Sequence, residues 1–404
     1  MLPGRSLPPA AAPIGPREFV SGICGLLQGR KALERFRSEL KEYFGVKHCF
    51  LVSSGKAAFT LILLALKELS PDRDDVLIPA FTCYSVPSSV VRAGLGIRLC
   101  DLRPDSFDLD FAQLSTMPAD SSRRLLAVVP THLYGYPSDV PRVRKLVQDR
   151  GVAVVEDAAQ AMGETWEERK LGTLGDVGFL SLGRGKAFST VEGGVILTDR
   201  DDIAEVLSRR VDVLPGYGCW GLARLILKAA GLMFFIHPLL FWIPRLLPFL
   251  KLGETLFDPH FPIRKLSPFQ AGLAGNWQKR LQKMRDARSK NVKRWMAVLD
   301  GLGNGSEYFQ HSQTLGLLRF PIRIRDADRR KSLLQESAHA GAGIAPVYPQ
   351  SINRLPELRG QIPVQACPVS ERCAKELVTL PTHGYLTEDD VTEISVLVSR
   401  VLRQ

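Results

Sequence analysis

The stretch VAVVEDAAQAMG (152–163), followed by GDVGFLSLGRGKAFSTVEGGVI (175–196), decides the fold of this 404-residue chain. The first piece is a Val-rich run that ends on Glu156-Asp157 and passes into small residues. A short continuous apolar run of this kind reads as a strand buried on both faces of a parallel sheet, and sites in such sheets lie at the carboxyl ends of the strands. The second piece is another strand, GFLSL, running into a loop in which Gly183 and Gly185 bracket Lys186, shortly before Glu192-Gly193-Gly194. A lysine that condenses with an aldehyde must be partly neutral, so it needs a confined site near cationic or apolar groups, and Arg184 is placed to supply part of that field.

Asp157, 29 residues before Lys186, has two readings. It is a helix-capping aspartate, or it is the carboxylate that pyridoxal-phosphate (PLP) chemistry pairs with the pyridinium nitrogen to keep the ring an electron sink. The turn Ser53-Ser54-Gly55-Lys56-Ala57 follows the strand CFLVSS and opens a helix, which offers free N–H groups to an anion such as a phosphate. Ser181 lies five residues before Lys186 and adds a hydroxyl. The turn lacks the GxxxxGK[ST] spacing of a nucleotide-hydrolysing loop.

Working outward, an amphipathic helix (ALERFRSELKEYFG) precedes the first strand, and DVLIPA, IRLCDL, LLAVVP and GGVILTD supply further strands, with helices such as VPRVRKLVQDRG between several of them. This alternation predicts a large, mostly parallel α/β domain. The expected division is an N-terminal arm at 1–30, the large domain at 31–255, and at 256–404 a linking helix from Ser267 to about Leu299 with a smaller α/β domain. The first 16 residues, rich in Pro and Ala without an apolar core, read as an extended arm and not a signal peptide.

Residues 214–260 break the rhythm. Residues 229–244 carry no charge, but Pro238 and Pro244 interrupt them. Three readings stand: a buried or dimer-buried hairpin, an interfacial element on a membrane, and a re-entrant hairpin. The formal charge of +11 is compatible with nucleic acid, an anionic membrane face or phosphorylated small molecules. The densest basic stretch, Lys279 to Arg294, has helical spacing without interleaved aromatics and reads as a solvated helix face, so no nucleic-acid partner is expected. Seven cysteines without a CxxC pair fit a reduced, cytoplasmic protein with buried thiols.

Taken in order, these pieces resemble the DegT/DnrJ/EryC1/StrS family of PLP-dependent nucleotide-sugar aminotransferases. The resemblance rests on SSGKAAF (53–59), PAFTCYS (79–85), CDLRPDSFDLD (100–110), HLYGYPSD (132–139), EDAAQAMG (156–163), GKAFSTVEGG (185–194) and LPTHGYLTEDDV (380–391), and runs from about residue 30 to the end apart from 214–260. It implies the type I PLP-transferase fold, with a large, mostly parallel seven-stranded sheet and a smaller C-terminal α/β domain, in a homodimer. Lys186 would be the lysine that holds PLP and then the base for the proton shift. Asp157 would pair with the pyridine nitrogen and Gln160 would contact the ring 3-hydroxyl. Gly55, the Lys56 backbone and Ser181 would hold the phosphate. The ring-stacking position falls on Cys83, a poor platform, so Tyr84 is the expected substitute.

Departures are equally visible. Where the family has an Asn and an Arg lent to the neighbouring subunit, HFPIRKLSPFQAGLA places Ile263 and Lys265. His132 and His383 are read as either cleft-lining or structural, Tyr134 and Trp166 as packing, and Glu192 as ordering the lysine loop. The expected function is transfer of an amino group from an amino acid, L-glutamate, to a keto-sugar on a nucleotide. The enzyme would be cytoplasmic, with contact at the inner membrane face through 219–250. The alternatives are a PLP-dependent sugar dehydratase, whose family relatives carry histidine in place of the lysine, and a catalytically silent regulator or membrane scaffold.

Overall fold

A computed structural model describes residues 4–118, 123–247, 255–302, 307–309 and 315–403. Seven short strands build the principal sheet: β1 His48–Val52, β2 Asp75–Pro79, β3 Gly96–Cys100, β4 Leu125–Val128, β5 Ala153–Asp157, β6 Val177–Ser181 and β7 Gly194–Thr198, in the spatial order β1-β7-β6-β5-β4-β2-β3. Each matches an apolar run legible in the sequence. The strands from β6 to β3 pair in parallel, as a sheet covered by helices requires. β7 departs from that pattern and runs antiparallel to both β6 and β1. Only residues 182–193 join it to β6, and no crossover helix lies among them, so the chain turns straight back. This return is what holds the lysine loop at the edge of the sheet's carboxyl end.

The helix Gly55–Leu69 follows β1 and is capped by Ser54, whose Oγ accepts from the Ala57 N–H at 3.0 Å. Almost all of its faces are buried, against β6, β7 and the helix Ser85–Arg92. A second, antiparallel sheet is formed by β8 Glu307–Tyr308, β9 Arg319–Arg323 and β10 Leu377–Pro381, backed by the helices Ala327–Ala340, Pro368–Glu376 and Glu388–Arg403. The helix at 368–376 and the strand at 377–381 were not legible as elements, because LVTLP is buried at all five positions and so shows no alternation.

The single linking helix expected from Ser267 is two helices, Pro268–Leu273 and Trp277–Asp300. Asn276 adopts a left-handed conformation (φ 54°) at the break, which Asn tolerates better than other residues with a Cβ. The first piece lies tightly against the helix Pro16–Gln28. A Cβ on Gly272 would come within 2.3 Å of the Ser21 carbonyl oxygen, so glycine is required there. The arm at 4–15 is extended, as expected, but closely held. Leu7, Ala11 and Ile14 are buried, the Leu7 N–H donates to the Gly341 carbonyl at 2.7 Å, and Arg5 pairs with Asp390 at 2.6 Å. The arm at 1–30 therefore also contains a helix, which the spacing of PREFVSGICGLLQ did not announce.

The apolar segment forms the helix Cys219–Phe235 and a short turn of helix, Trp242–Arg245; its last part, 248–254, lies outside the described residues. Among the described residues no helix is long and apolar enough to cross a membrane. The segment is not simply buried either. Leu225 and Ala229 are covered, while Trp220 is 90% exposed.

Candidate active site

Two chambers of about 610 and 540 Å³ open beside the carboxyl ends of β5 and β6 and share Cys83, Gln160, Arg184 and Lys186. The first is polar. Asp157 and Ser181, the last residues of two neighbouring strands, face it together with Gly55, Lys56 and Arg264. The second is walled by Tyr134, Arg319 and Tyr348 on one side and by Leu232, Ile236 and Phe241 of the apolar segment on the other. Lys186 stands where they meet. Among the described residues its Nζ makes no hydrogen bond or ion pair.

The lysine loop is fixed from behind. The buried Arg288 donates to the carbonyls of Ala187 (2.9 Å), Lys186 (3.3 Å) and Ala11 (3.1 Å), joining the loop to the N-terminal arm. Burial pulls the guanidinium down to about 10, against a smaller opposing pull from the Glu164 charge. Val191 sits at φ 75°, a conformation that costs a β-branched residue roughly 1–3 kcal/mol and persists only where the surroundings fix it. Here they do. The side chain is buried among Ile14, Leu225 and Phe269, and the N–H donates to Ser189 Oγ at 3.0 Å. Glu192 follows. Its carbonyl accepts from Gln270 Nε2 at 2.7 Å and its carboxylate pairs with Lys228 of the apolar segment at 2.5 Å, so it does order this loop.

Asp157 is buried, and its carboxylate accepts one hydrogen bond among the described residues, from the Ala159 N–H at 3.0 Å. Burial pushes its pKa upward; that hydrogen bond and the Lys186 charge pull the other way. It caps no helix, so the capping reading fails. Gly55 backs directly onto Ser181, and a Cβ there would lie 3.0 Å from Ser181 Cβ. The first N–H groups of the helix at 55–69, which have no intrahelical acceptor, are thereby brought against the chamber floor. A phosphate monoester would find there the anion cradle that the sequence suggested.

Gln160 is anchored on both atoms of its amide, Oε1 accepting from the Tyr134 N–H (3.1 Å) and Nε2 donating to Tyr348 Oη (3.0 Å). Cys83 faces both chambers, whereas Tyr84 lines neither. Its ring is buried and its hydroxyl exchanges hydrogen bonds with the Gln350 backbone at 2.9 Å, so it is not available as a substitute platform. The Lys56 ammonium reaches Asp258 (3.7 Å) and the Phe261 ring (4.4 Å).

Both candidate histidines are structural. His132 Nδ1 accepts from the Ser138 N–H (2.9 Å), so Nε2 carries the proton and donates to Glu156 at 2.9 Å. Glu156 in turn gathers the N–H groups of Gly172, Leu174 and Gly175. His383 Nε2 donates to the Pro8 carbonyl at 2.7 Å. Trp166 is packing, as expected, but Tyr134 faces the second chamber, and its buried hydroxyl has no partner among the described residues. Arg319 and Tyr348 were missed altogether. They stand in a strand and a loop with no residue pattern to set them apart. Ile263 packs against the main core and Lys265 turns to the Asp212 carbonyl (2.8 Å), while Arg264 between them faces the polar chamber and lies over the Tyr217 ring.

Residues 25–220 and 263–399 match the DegT/DnrJ/EryC1/StrS aminotransferase family; the apolar segment falls in the gap between the two matches. GDP-perosamine synthase of Caulobacter vibrioides is 26% identical over 379 residues, spanning 93% of this chain and 91% of that protein. Among solved structures, Helicobacter pylori PseC, an aminotransferase involved in the biosynthesis of pseudoaminic acid, aligns with a TM-score of 0.78 at 16% identity over 98% of this chain and 99% of its own. The E coli GDP-4-keto-6-deoxy-D-mannose-3-dehydratase with bound hydrated PLP aligns at 0.76 and 18% identity, over 98% of this chain and 99% of its own.

Proposed function

We propose that this chain, which belongs to the DegT/DnrJ/EryC1/StrS aminotransferase family, moves an amino group from L-glutamate to a nucleotide-linked keto-sugar, with PLP held by Lys186. The observation that carries this reading is the convergence of Lys186, Asp157, Ser181 and Gly55 on one chamber. The chamber suits the cofactor. It offers a free ammonium, a buried carboxylate with acceptor capacity to spare and an anion cradle that a Cβ at Gly55 would crowd.

Bound there, PLP would supply an aldehyde for the amine and a ring that accepts an electron pair. The rest is the work of the chain. Gly55, the Lys56 N–H and Ser181 orient the phosphate. Asp157 holds a proton on the ring nitrogen. Lys186 Nζ, which would hold the cofactor, would also be the base placed to move the proton of the amino-transfer reaction. Gln160, tied to Tyr134 and Tyr348, would contact the ring oxygen, and Cys83 would fall at the ring-stacking position. Tyr134, Arg319 and Tyr348 face the chamber left for the two substrates in turn, where the Arg319 cation suits a carboxylate or a diphosphate. A dehydratase is disfavoured because Lys186 occupies the position at which those relatives carry histidine.

We further infer a homodimer, from the likeness of residues 260–274 to the segment that family members lend to a neighbouring subunit, and a cytoplasmic protein, from its free cysteines. The visible spectrum of the purified protein tests the central reading. PLP should give an absorption band that L-glutamate bleaches, and Lys186→Ala should lose the lysine-bound form and at least about a hundred-fold in turnover. A protein that takes up no PLP would put the silent-scaffold reading in its place.

A further inference from the structure

The apolar segment has two faces. On one side of the helix Cys219–Phe235, Leu225 and Ala229 are buried against Ile14, Phe269 and Leu273, and Leu232 passes on to the wall of the substrate chamber. On the other, Trp220, Leu227 and Phe234 recur every seven residues, which places them on one stripe, and they are 90%, 74% and 56% exposed. The helix Pro16–Gln28, which touches it, exposes Val20, Ile23 and Leu27 at the same kind of spacing. So much contiguous apolar surface on a water-facing helix pair calls for an occupant.

Charge decides which. Residues 219–247 contain no Asp or Glu, and carry Arg224, Lys228 and Arg245. Arg17 and Arg224 are exposed beside the stripes. The one carboxylate on the two helices, Glu18, is turned inward to the Gly15 N–H (2.8 Å) and Arg280 (3.7 Å). Seventeen residues of helix span about 26 Å, short of a bilayer core, so the helix is built to lie on a membrane and not to cross it. From residue 221 onward the segment also falls outside the part of the chain that the family shares.

We propose that the helix 219–235, with the exposed stripe of 16–28, seats this protein on an anionic lipid surface, beside the chamber that the other face of the helix lines. An apolar, aromatic face rimmed by cations and free of carboxylates is what such a surface binds. Because the opposite face of the same helix lines the substrate chamber, the docked enzyme would meet its acceptor, or pass on its product, at the membrane.

The test uses the full chain loaded with PLP and is independent of the amino-transfer reaction. Vesicles of equal parts phosphatidylcholine and phosphatidylglycerol should carry the protein upward in a density gradient, vesicles of phosphatidylcholine alone should carry much less, and added salt should weaken the binding. The triple variant Trp220→Ser, Leu227→Ser, Phe234→Ser alters only exposed positions. It should keep its thermal transition and PLP spectrum while partitioning at least about tenfold less. Arg224→Glu should reduce the preference for phosphatidylglycerol. The proposal fails if the intact chain does not float, or if the triple variant floats as well as the intact chain. It fails equally if the triple variant converts a dimer to a monomer, since a second copy would then be what covers the stripe.

Discussion

The loop at 182–193 and the segment at 219–247 face each other across one cleft, and they are held by opposite means. The loop is fixed by polar contacts to its backbone. Arg288 grips its carbonyls, Gln270 holds Glu192, and Val191 is kept in a strained conformation by what surrounds it. The segment is fixed by apolar contact along one face and leaves the other face open. A site that must place an amine to within a fraction of an ångström is built the first way. An element that must meet a soft or variable surface is built the second way. The difference explains why the family's sequence pattern runs through the loop and skips the segment.

The largest effect on this contrast should come from Asp157, a buried carboxylate on the loop's side of the cleft. Asp157→Asn preserves the shape but cannot hold a proton on the ring nitrogen as a carboxylate does, so turnover should fall by at least about a hundred-fold. The cofactor-free protein should respond in the opposite sense. Burial raises the folded pKa of Asp157 above its ordinary 3.8, so its contribution to stability is full below that value and is lost as pH rises through the folded value. Asparagine has no such loss. Urea unfolding of the two cofactor-free proteins should therefore show the variant gaining on wild type between pH 4 and 7. A variant that loses stability at neutral pH would mean that the carboxylate has a structural partner and that the site is not poised for a ligand.

Next in size is the arm, which closes the cleft from a third side. His383 is fully buried. Its Nδ1 faces the Tyr385 N–H at 3.3 Å and its Nε2 donates to the Pro8 carbonyl, so a second proton would be forced against an amide donor. Burial is the main cause that lowers its pKa, to about 4 from 6.5. A depressed histidine stabilises the fold above its unfolded pKa and loses that contribution as pH falls through the folded value. Between pH 6.5 and 4 this amounts to about 3 kcal/mol. His383→Asn should remove this acid-sensitive part while the carboxylates titrate alike in both proteins, and the difference between their unfolding curves at pH 7 and pH 4 measures it.

How much of this could be read from the sequence follows the same division. The strands and the polar chamber were legible because each lies in a short run where an apolar strand ends on a polar or small residue: Asp157 after VAVVE, Ser181 after GFL, Gly55 after CFLVSS. What was not legible depends on contacts between distant parts of the chain. Tyr84 and Tyr134 are both tyrosines in matched motifs, yet one is locked to Gln350 and the other faces the second chamber. Arg319 and Tyr348 meet there only because β9 and the loop after the helix at 327–340 fold back over the sheet. The break at Asn276 lies inside a run with helical spacing, and packing against Gly22 and Gly25 shaped what precedes it.

The smallest expected effect lies at a polar tie between the two sides of the cleft, Lys228 to Glu192. Both side chains are about one-third exposed or more, so water and salt screen the pair, and Lys228→Met should cost less than about 1 kcal/mol of unfolding free energy. Thermal unfolding at low and high salt checks this, since the wild-type advantage should shrink as salt rises. The loop itself should hold, because the backbone contacts of Glu192 and Val191 do not involve Lys228. A loss of several kcal/mol would break the comparison. It would mean that the segment is anchored to the lysine loop by charge and not by its apolar face, and that movement of the segment on a surface would be felt at Lys186 directly.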